Sequence, residues 1–141
     1  MTYPTPAALL LAASASVVFA LGLAHLVFTF HGNKLHPRES SLMETMKADS
    51  PVLTRQTTMW KAWIGFNASH SLGALLFGLV FGYLALEAPG LFFNSLYLRT
   101  VGLALLTSYV FLSKRYWFST PFRGIAFASA LYVLALAASE A

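Results

Sequence analysis

The sequence predicts an all-α integral membrane protein, a four-helix antiparallel bundle in one transmembrane domain over residues 1–141, and three observations carry that prediction. Of the 141 residues, 57% are hydrophobic and only 10% charged, and the mean hydropathy of +0.66 lies outside the range of ordinary soluble domains. The apolar residues fall into four runs of roughly 20, the length that crosses about 30 Å of hydrocarbon as a helix. The charged residues gather between the runs or at their ends. There is also no cysteine, which excludes disulfide exchange, thiolate catalysis, cysteine zinc sites, iron–sulfur clusters and covalent c-type haem.

The first run, about residues 7–30, contains no Lys, Arg, Asp or Glu. Met1 to Pro6 has no basic side chain either, whereas a cleaved signal peptide carries a positive n-region ahead of a shorter apolar core. The run is therefore expected to be a retained first helix. Residues 31–58 change character, collecting Lys34, Arg38, Lys47 and Arg55 with Glu39, Glu44 and Asp49. Leu35, Leu42, Met43 and Met46 within this segment fit a short helix after Pro37 that lies on the membrane surface. Asp49 or Ser50 ahead of Pro51 is a helix-start signal, because proline lacks only a donor that a first turn cannot use. The second long helix is accordingly expected to begin at Pro51.

Its membrane part covers about residues 60–86, with Trp60 and Trp63 around Lys61 as an interface belt, and Glu87, Pro89 and Gly90 close it. A third span is expected over about residues 94–113, interrupted by Arg99, and a fourth over about 121–138. Ser119 or Thr120 would cap the fourth, with Pro121 at its first helical position. Lys114, Arg115, Tyr116, Trp117 and Phe118 form a second belt between these spans. No internal repeat or low-complexity segment is present.

Basic residues set the orientation, since Lys and Arg of short connections stay on the cytoplasmic side. Lys34, Arg38, Lys47, Arg55, Lys61, Lys114, Arg115 and Arg123 lie on one side of the proposed spans and Arg99 alone on the other. Eight against one places both termini on the non-cytoplasmic side of the membrane. The net charge of +4 then suits the anionic cytoplasmic leaflet, with no separate basic stripe of the kind nucleic acid requires.

Apolar helices in lipid associate through close backbone approach and polar contacts. Ala12, Ser16, Ala20 and Ala24 form a small-residue stripe on the first span, and Gly65, Ser69 and Gly73 form one on the second, with Gly78 and Gly82 as a GxxxG further on; both stripes are expected to be packing faces. The other faces are polar. Ser14, Val18, Gly22, His25 and Thr29 share one side of the first span; Asn67, His70, Ser71 and Ala74 share one side of the second at i, i+3, i+4 and i+7. At 1.5 Å per residue, His25 lies about 9 Å inside the end of the first span and His70 about 10–15 Å inside the Trp belt. In antiparallel helices these depths match.

Polar side chains inside a membrane are costly without partners, which makes His25, Asn67, His70 and Ser71 the candidate ligand-binding residues. Three readings of them are open. They can be interhelical hydrogen-bond glue. They can form the polar end of a pocket for a lipid head group, quinone or other small amphiphile, or a proton relay. Or His25 and His70 can be axial ligands of haem b, with Gly22 and Gly73, each three residues from its histidine on the same outward side, making room for the macrocycle. Outside this group, His31 and His36 with Asn33 can contact phosphate or a metal at the interface, and Arg99 is expected to pair with Glu87 or, as the alternative, to snorkel. There is no nucleophile elbow, P-loop, HExxH or pair of intramembrane carboxylates.

The segments Thr58 to Gly73 (TMWKAWIGFNASHSLG) and Lys114 to Ile125 (KRYWFSTPFRGI) resemble a family of small, functionally uncharacterised four-span inner-membrane proteins of bacteria. The resemblance implies a four-helix membrane protein with a histidine in its second span, and implies no activity. The expected function is a non-enzymatic accessory or small-ligand or lipid-binding module with a polar site between spans one and two, self-associating or joined to a larger membrane complex. The alternative is a redox protein or enzyme subunit that holds haem b or quinone at His25 and His70.

Overall fold

A computed structural model describes residues 4–140; of the start of the chain read above as retained, Met1 to Tyr3 lie outside the described residues. The described chain is all helical, with no strand. In order it forms α1 (Pro6–Phe30), α2 (Ser40–Ala48), α3 (Met59–Leu86), α4 (Pro89–Phe93), α5 (Leu96–Tyr116) and α6 (Ser119–Ser139). Among the described residues four helices, α1, α3, α5 and α6, are long and apolar enough to cross a membrane. The shortest of them, at 21 residues, extends about 32 Å.

Local chemistry explains most of the boundaries and corrects three of the expected ones. Pro51 does not start α3: the Thr54 N–H donates to the Pro51 carbonyl at 3.1 Å, which closes a turn. The helix begins at Met59, where the Thr58 hydroxyl accepts from the Lys61 N–H at 3.3 Å, a side-chain cap that competes successfully with the Asp-Ser-Pro signal. The third long helix, α5, starts at Leu96 rather than near 94, because residues after Pro89 form the short α4, and Ser95 caps α5 by accepting from the Leu98 N–H at 3.3 Å. It also runs on to Tyr116, so Lys114 and Arg115 occupy its last turn, where cations suit the carbonyl end of a helix. Helix α6 starts at Ser119, which puts Pro121 third in the helix, still within the first turn whose N–H groups have no intrahelical acceptor.

The chain folds as two compact units. The first holds residues 4–21 and 74–140. Its centre is aromatic: Phe77 stacks on Phe81 with centroids 4.4 Å apart, and Phe81, Phe92 and Tyr132 meet edge to face at 5.9–6.1 Å. The Tyr132 hydroxyl donates to the Arg99 carbonyl at 2.9 Å, and the Ser14 hydroxyl to the Ala128 carbonyl at 2.7 Å, so both of these buried hydroxyls are satisfied. Close approach depends on two glycines. A Cβ on Gly78 would stand 2.5 Å from Phe19 Cβ and 3.0 Å from the Ala15 carbonyl oxygen, and one on Gly102 would collide with the Tyr132 hydroxyl.

In this unit Arg99 does not pair with Glu87. Its Nη1 donates to Glu140 Oε1 at 3.1 Å, because α5 and α6 pack on each other and bring the first turn of α5 beside the C-cap of α6, while Glu87 is exposed.

The second unit is Gly22–Gly73: the last third of α1, the polar connection with α2, and the first half of α3. The His31 N–H closes α1 on the Val27 carbonyl at 2.8 Å, and Gly32 then takes a φ of +81°, a left-handed turn that suits glycine. The connection is sewn to α3 at three points. Trp63 Nε1 donates to the Leu35 carbonyl at 3.1 Å, His36 sits edge-on to Trp60 at 5.0 Å, and the Met59 N–H donates to the Asp49 carbonyl at 2.9 Å. The expected short helix after Pro37 is α2, which has no buried residue; Leu42 is exposed and Met43 and Met46 are half-buried.

Of the small-residue stripes only the GxxxG packs within the chain, with Gly78 buried and Gly82 half-buried. Ser16, Ala20 and Ala24 are exposed and Ala12 is half-buried; Gly65, Ser69 and Gly73 are exposed, and nothing lies within 4 Å of a Cβ built on Gly65. The polar stripes face inward instead: Ser14, Val18, Gly22, Thr29, Ser71 and Ala74 are buried. A hydroxyl or imidazole turned inward gains a fixed partner, which favours this rotation of a helix whose other faces are mostly apolar.

Candidate functional site

The site lies wholly within the second unit. His25 is in the penultimate turn of α1 and Asn67 and His70 are near the middle of α3, one helical turn apart, so a single face of α3 presents both side chains. His25 Nε2 and Asn67 Oδ1 are 3.0 Å apart. The rings of His25 and His70 meet edge to face, with centroids 5.4 Å apart at 86°. All three residues are half-buried.

Hydrogen bonds to the backbone fix the orientation of this cluster. Asn67 Nδ2 donates to the Trp63 carbonyl at 2.8 Å, which turns Oδ1 toward His25. An imidazole nitrogen that faces a carboxamide oxygen must carry the hydrogen, so neutral His25 is the Nε2–H tautomer and Nδ1 is its acceptor. The Thr29 hydroxyl donates to the His25 carbonyl at 2.8 Å, one turn further along α1. Asn67 therefore reads one residue of α1 while it is held by its own helix, and Trp63, which holds it, is in turn tied to the connection through Leu35.

Of the four residues singled out in the sequence, three come together. Ser71 is fully buried, but its hydroxyl donates to the Asn67 carbonyl at 2.8 Å, four residues back on the same helix. It shapes the backbone beneath the site and presents no free donor to a ligand. The paired-glycine arrangement for haem does not form, since Gly22 is buried and Gly73 exposed. Axial imidazoles stand on opposite faces of a macrocycle with the iron between them. Here the rings touch edge to face, and the Nε2 of His25 is engaged by Asn67, so haem would have to break both contacts.

Outside the cluster, His31 and His36 join no metal-binding group, and no set of three or more His, Asp or Glu residues suited to a metal ion occurs among the described residues. Two contacts of the site's frame were missed in the sequence, His36 on Trp60 and Trp63 on Leu35. Both tryptophans read there as interface anchors, and the only signal for a second role is that an indole offers both a donor and a broad ring face. No family model matches the chain, and no curated protein or solved structure matches it.

Proposed function

We propose that this chain is a multi-pass protein of the bacterial inner membrane, a bundle of four antiparallel spans with both termini non-cytoplasmic, acting as a non-enzymatic accessory or small-amphiphile-binding module. The observation that carries the binding role is the His25, Asn67 and His70 cluster on helices that are otherwise apolar. Such a group supplies donors and an acceptor to the polar head of a lipid or quinone, while the surrounding apolar surface accepts its tail.

Several features support the membrane part of this reading. Leu23, Phe30, Phe66, Leu76, Phe111 and Phe127 are exposed on the four long helices, a density of large apolar surface that water disfavours and lipid does not. Val52 and Leu53, 108% and 93% exposed, add an apolar turn to the basic connection, suited to the interface beside an anionic leaflet. The likeness of Thr58 to Gly73 and Lys114 to Ile125 to small four-span bacterial proteins points the same way. The exposed small-residue faces of α1 and α3 leave room for self-association or a larger complex.

The test is purification in mild detergent followed by native mass spectrometry and an absorption spectrum. A bound lipid or quinone lost from both His25→Ala and His70→Ala, with helix content kept, is the expected result. A bare chain that acquires no amphiphile in nanodiscs refutes the binding role, and a Soret band lost in both variants replaces it with the haem alternative. For topology, Ser40→Cys and Phe118→Cys should label from the same side; labelling from opposite sides overturns the arrangement of spans.

A further inference from the structure

We propose that the connection after α1 carries a second site, a receptor for a phosphate group. A cavity of about 320 Å³ opens there, lined by Asn33, His36, Pro37, Arg38, Ser40 and Met43, at the lower end of the range for small-ligand sites. Its polar lining is weighted toward donors: a guanidinium that can only donate, a carboxamide, an imidazole and a hydroxyl, with no carboxylate in the wall. A phosphate group, with several acceptor oxygens and at least one negative charge, is the common chemistry that matches this set.

The charge on Arg38 is available. Lys47 is paired with Glu44 at 3.1 Å, and Lys34 lies over the Phe28 ring at 4.0 Å. Arg38 has no ion pair among the described residues, and the neighbouring Glu39 is exposed and outside the cavity wall. The frame is also held in place. The His36 N–H donates to the Asn33 carbonyl at 3.1 Å, which closes a turn whose two end residues both line the cavity. His36 rests edge-on against Trp60, and the Leu35 carbonyl between these contacts is held by Trp63. Glu39 makes no side-chain cap, so the first N–H groups of α2 add donors near Ser40. The side-chain set does not depend on the role proposed for His25 and His70.

Free phosphate and a lipid phosphomonoester offer the same oxygens, and two probes separate them. Full-length protein in neutral detergent is titrated with inorganic phosphate and followed by tryptophan fluorescence, which reports on Trp60 behind His36. The same protein in nanodiscs of phosphatidylcholine, with or without a minor share of phosphatidate, is analysed for retained phosphatidate. Binding in the first arm assigns free phosphate, and retention in the second without binding in the first assigns the lipid head group; either supports the site. Arg38→Gln should weaken binding about tenfold and Asn33→Ala about threefold. Arg55→Gln, which removes the same charge from the same connection outside the cavity, should change it by less than about twofold. Equal losses for Arg38→Gln and Arg55→Gln, or no binding of either probe, overturn the proposal. Helix content by circular dichroism confirms that each variant is folded; Arg38 is exposed and its replacement disturbs no core contact.

Discussion

The two units of this chain are held together by different physics. In the unit of residues 4–21 and 74–140, the aromatic rings of Phe77, Phe81, Phe92 and Tyr132 interlock, backbones approach closely at Gly78, and the Tyr132 and Phe81 side chains press on Gly102. In Gly22–Gly73 no comparable apolar centre exists; the core residues cluster elsewhere, and cohesion comes from directional contacts made by His25, Asn67, Trp63 and Thr29. A packed apolar core resists small changes of volume, whereas a set of polar contacts can exchange one partner for another at low cost. The unit that carries the proposed binding site is therefore the one held by exchangeable bonds.

The largest expected effect breaks the aromatic side of this contrast. Tyr132→Ala removes a fully buried ring and leaves the Arg99 carbonyl without its donor, and should cost roughly 3–5 kcal/mol in denaturant unfolding in detergent; a loss below about 1 kcal/mol would mean that this core is not tightly packed. Next come two glycines of the same helix. Gly78→Ala forces Phe19 and the Ala15 backbone aside and should cost about 1–3 kcal/mol, whereas Gly65→Ala meets nothing within 4 Å and should be neutral or stabilise by up to about 1 kcal/mol through helix propensity. Equal effects at the two positions would erase the difference between the units.

Smaller effects sharpen the polar side. A double-mutant cycle between His25→Ala and Asn67→Ala should give a coupling of about 0.6 kcal/mol, typical of hydrogen bonds between apolar helices; strictly additive losses would deny the contact. The smallest change is Glu140→Gln, which opens an ion pair whose carboxylate side is 72% exposed and should shift stability by no more than a few tenths of a kcal/mol. A loss above about 1 kcal/mol there would show that the Arg99 pair anchors the α5 and α6 ends.

Much of the site was legible before any coordinates. Asn67 and His70 are three residues apart and His25 sits at a matching depth on another span, so helical periodicity alone singles out the cluster. Ser71 shares that face, yet its hydroxyl reaches its own backbone, an alternative open to any serine in a helix and invisible to periodicity. The partner of Arg99 was read wrongly because Glu87 is nearer in sequence, while Glu140 is brought close only by the packing of α5 on α6. The start of α3 was misplaced by eight residues for a related reason: Pro51 and Thr58 both offer start signals, and the turn after Pro51 won the intervening segment for the connection.

What the amino-acid sequence determines by itself is the set of four long apolar helices and the polar connection after the first, because length, hydropathy and capping are properties of neighbouring residues. Only the tertiary structure decides which face of each helix turns inward. An apolar helix has no strong preference among its faces, so its rotation is set by the few groups that need partners: Ser14 finds Ala128, Asn67 finds His25, and Ser16, Ala20, Gly65 and Ser69 are left facing outward.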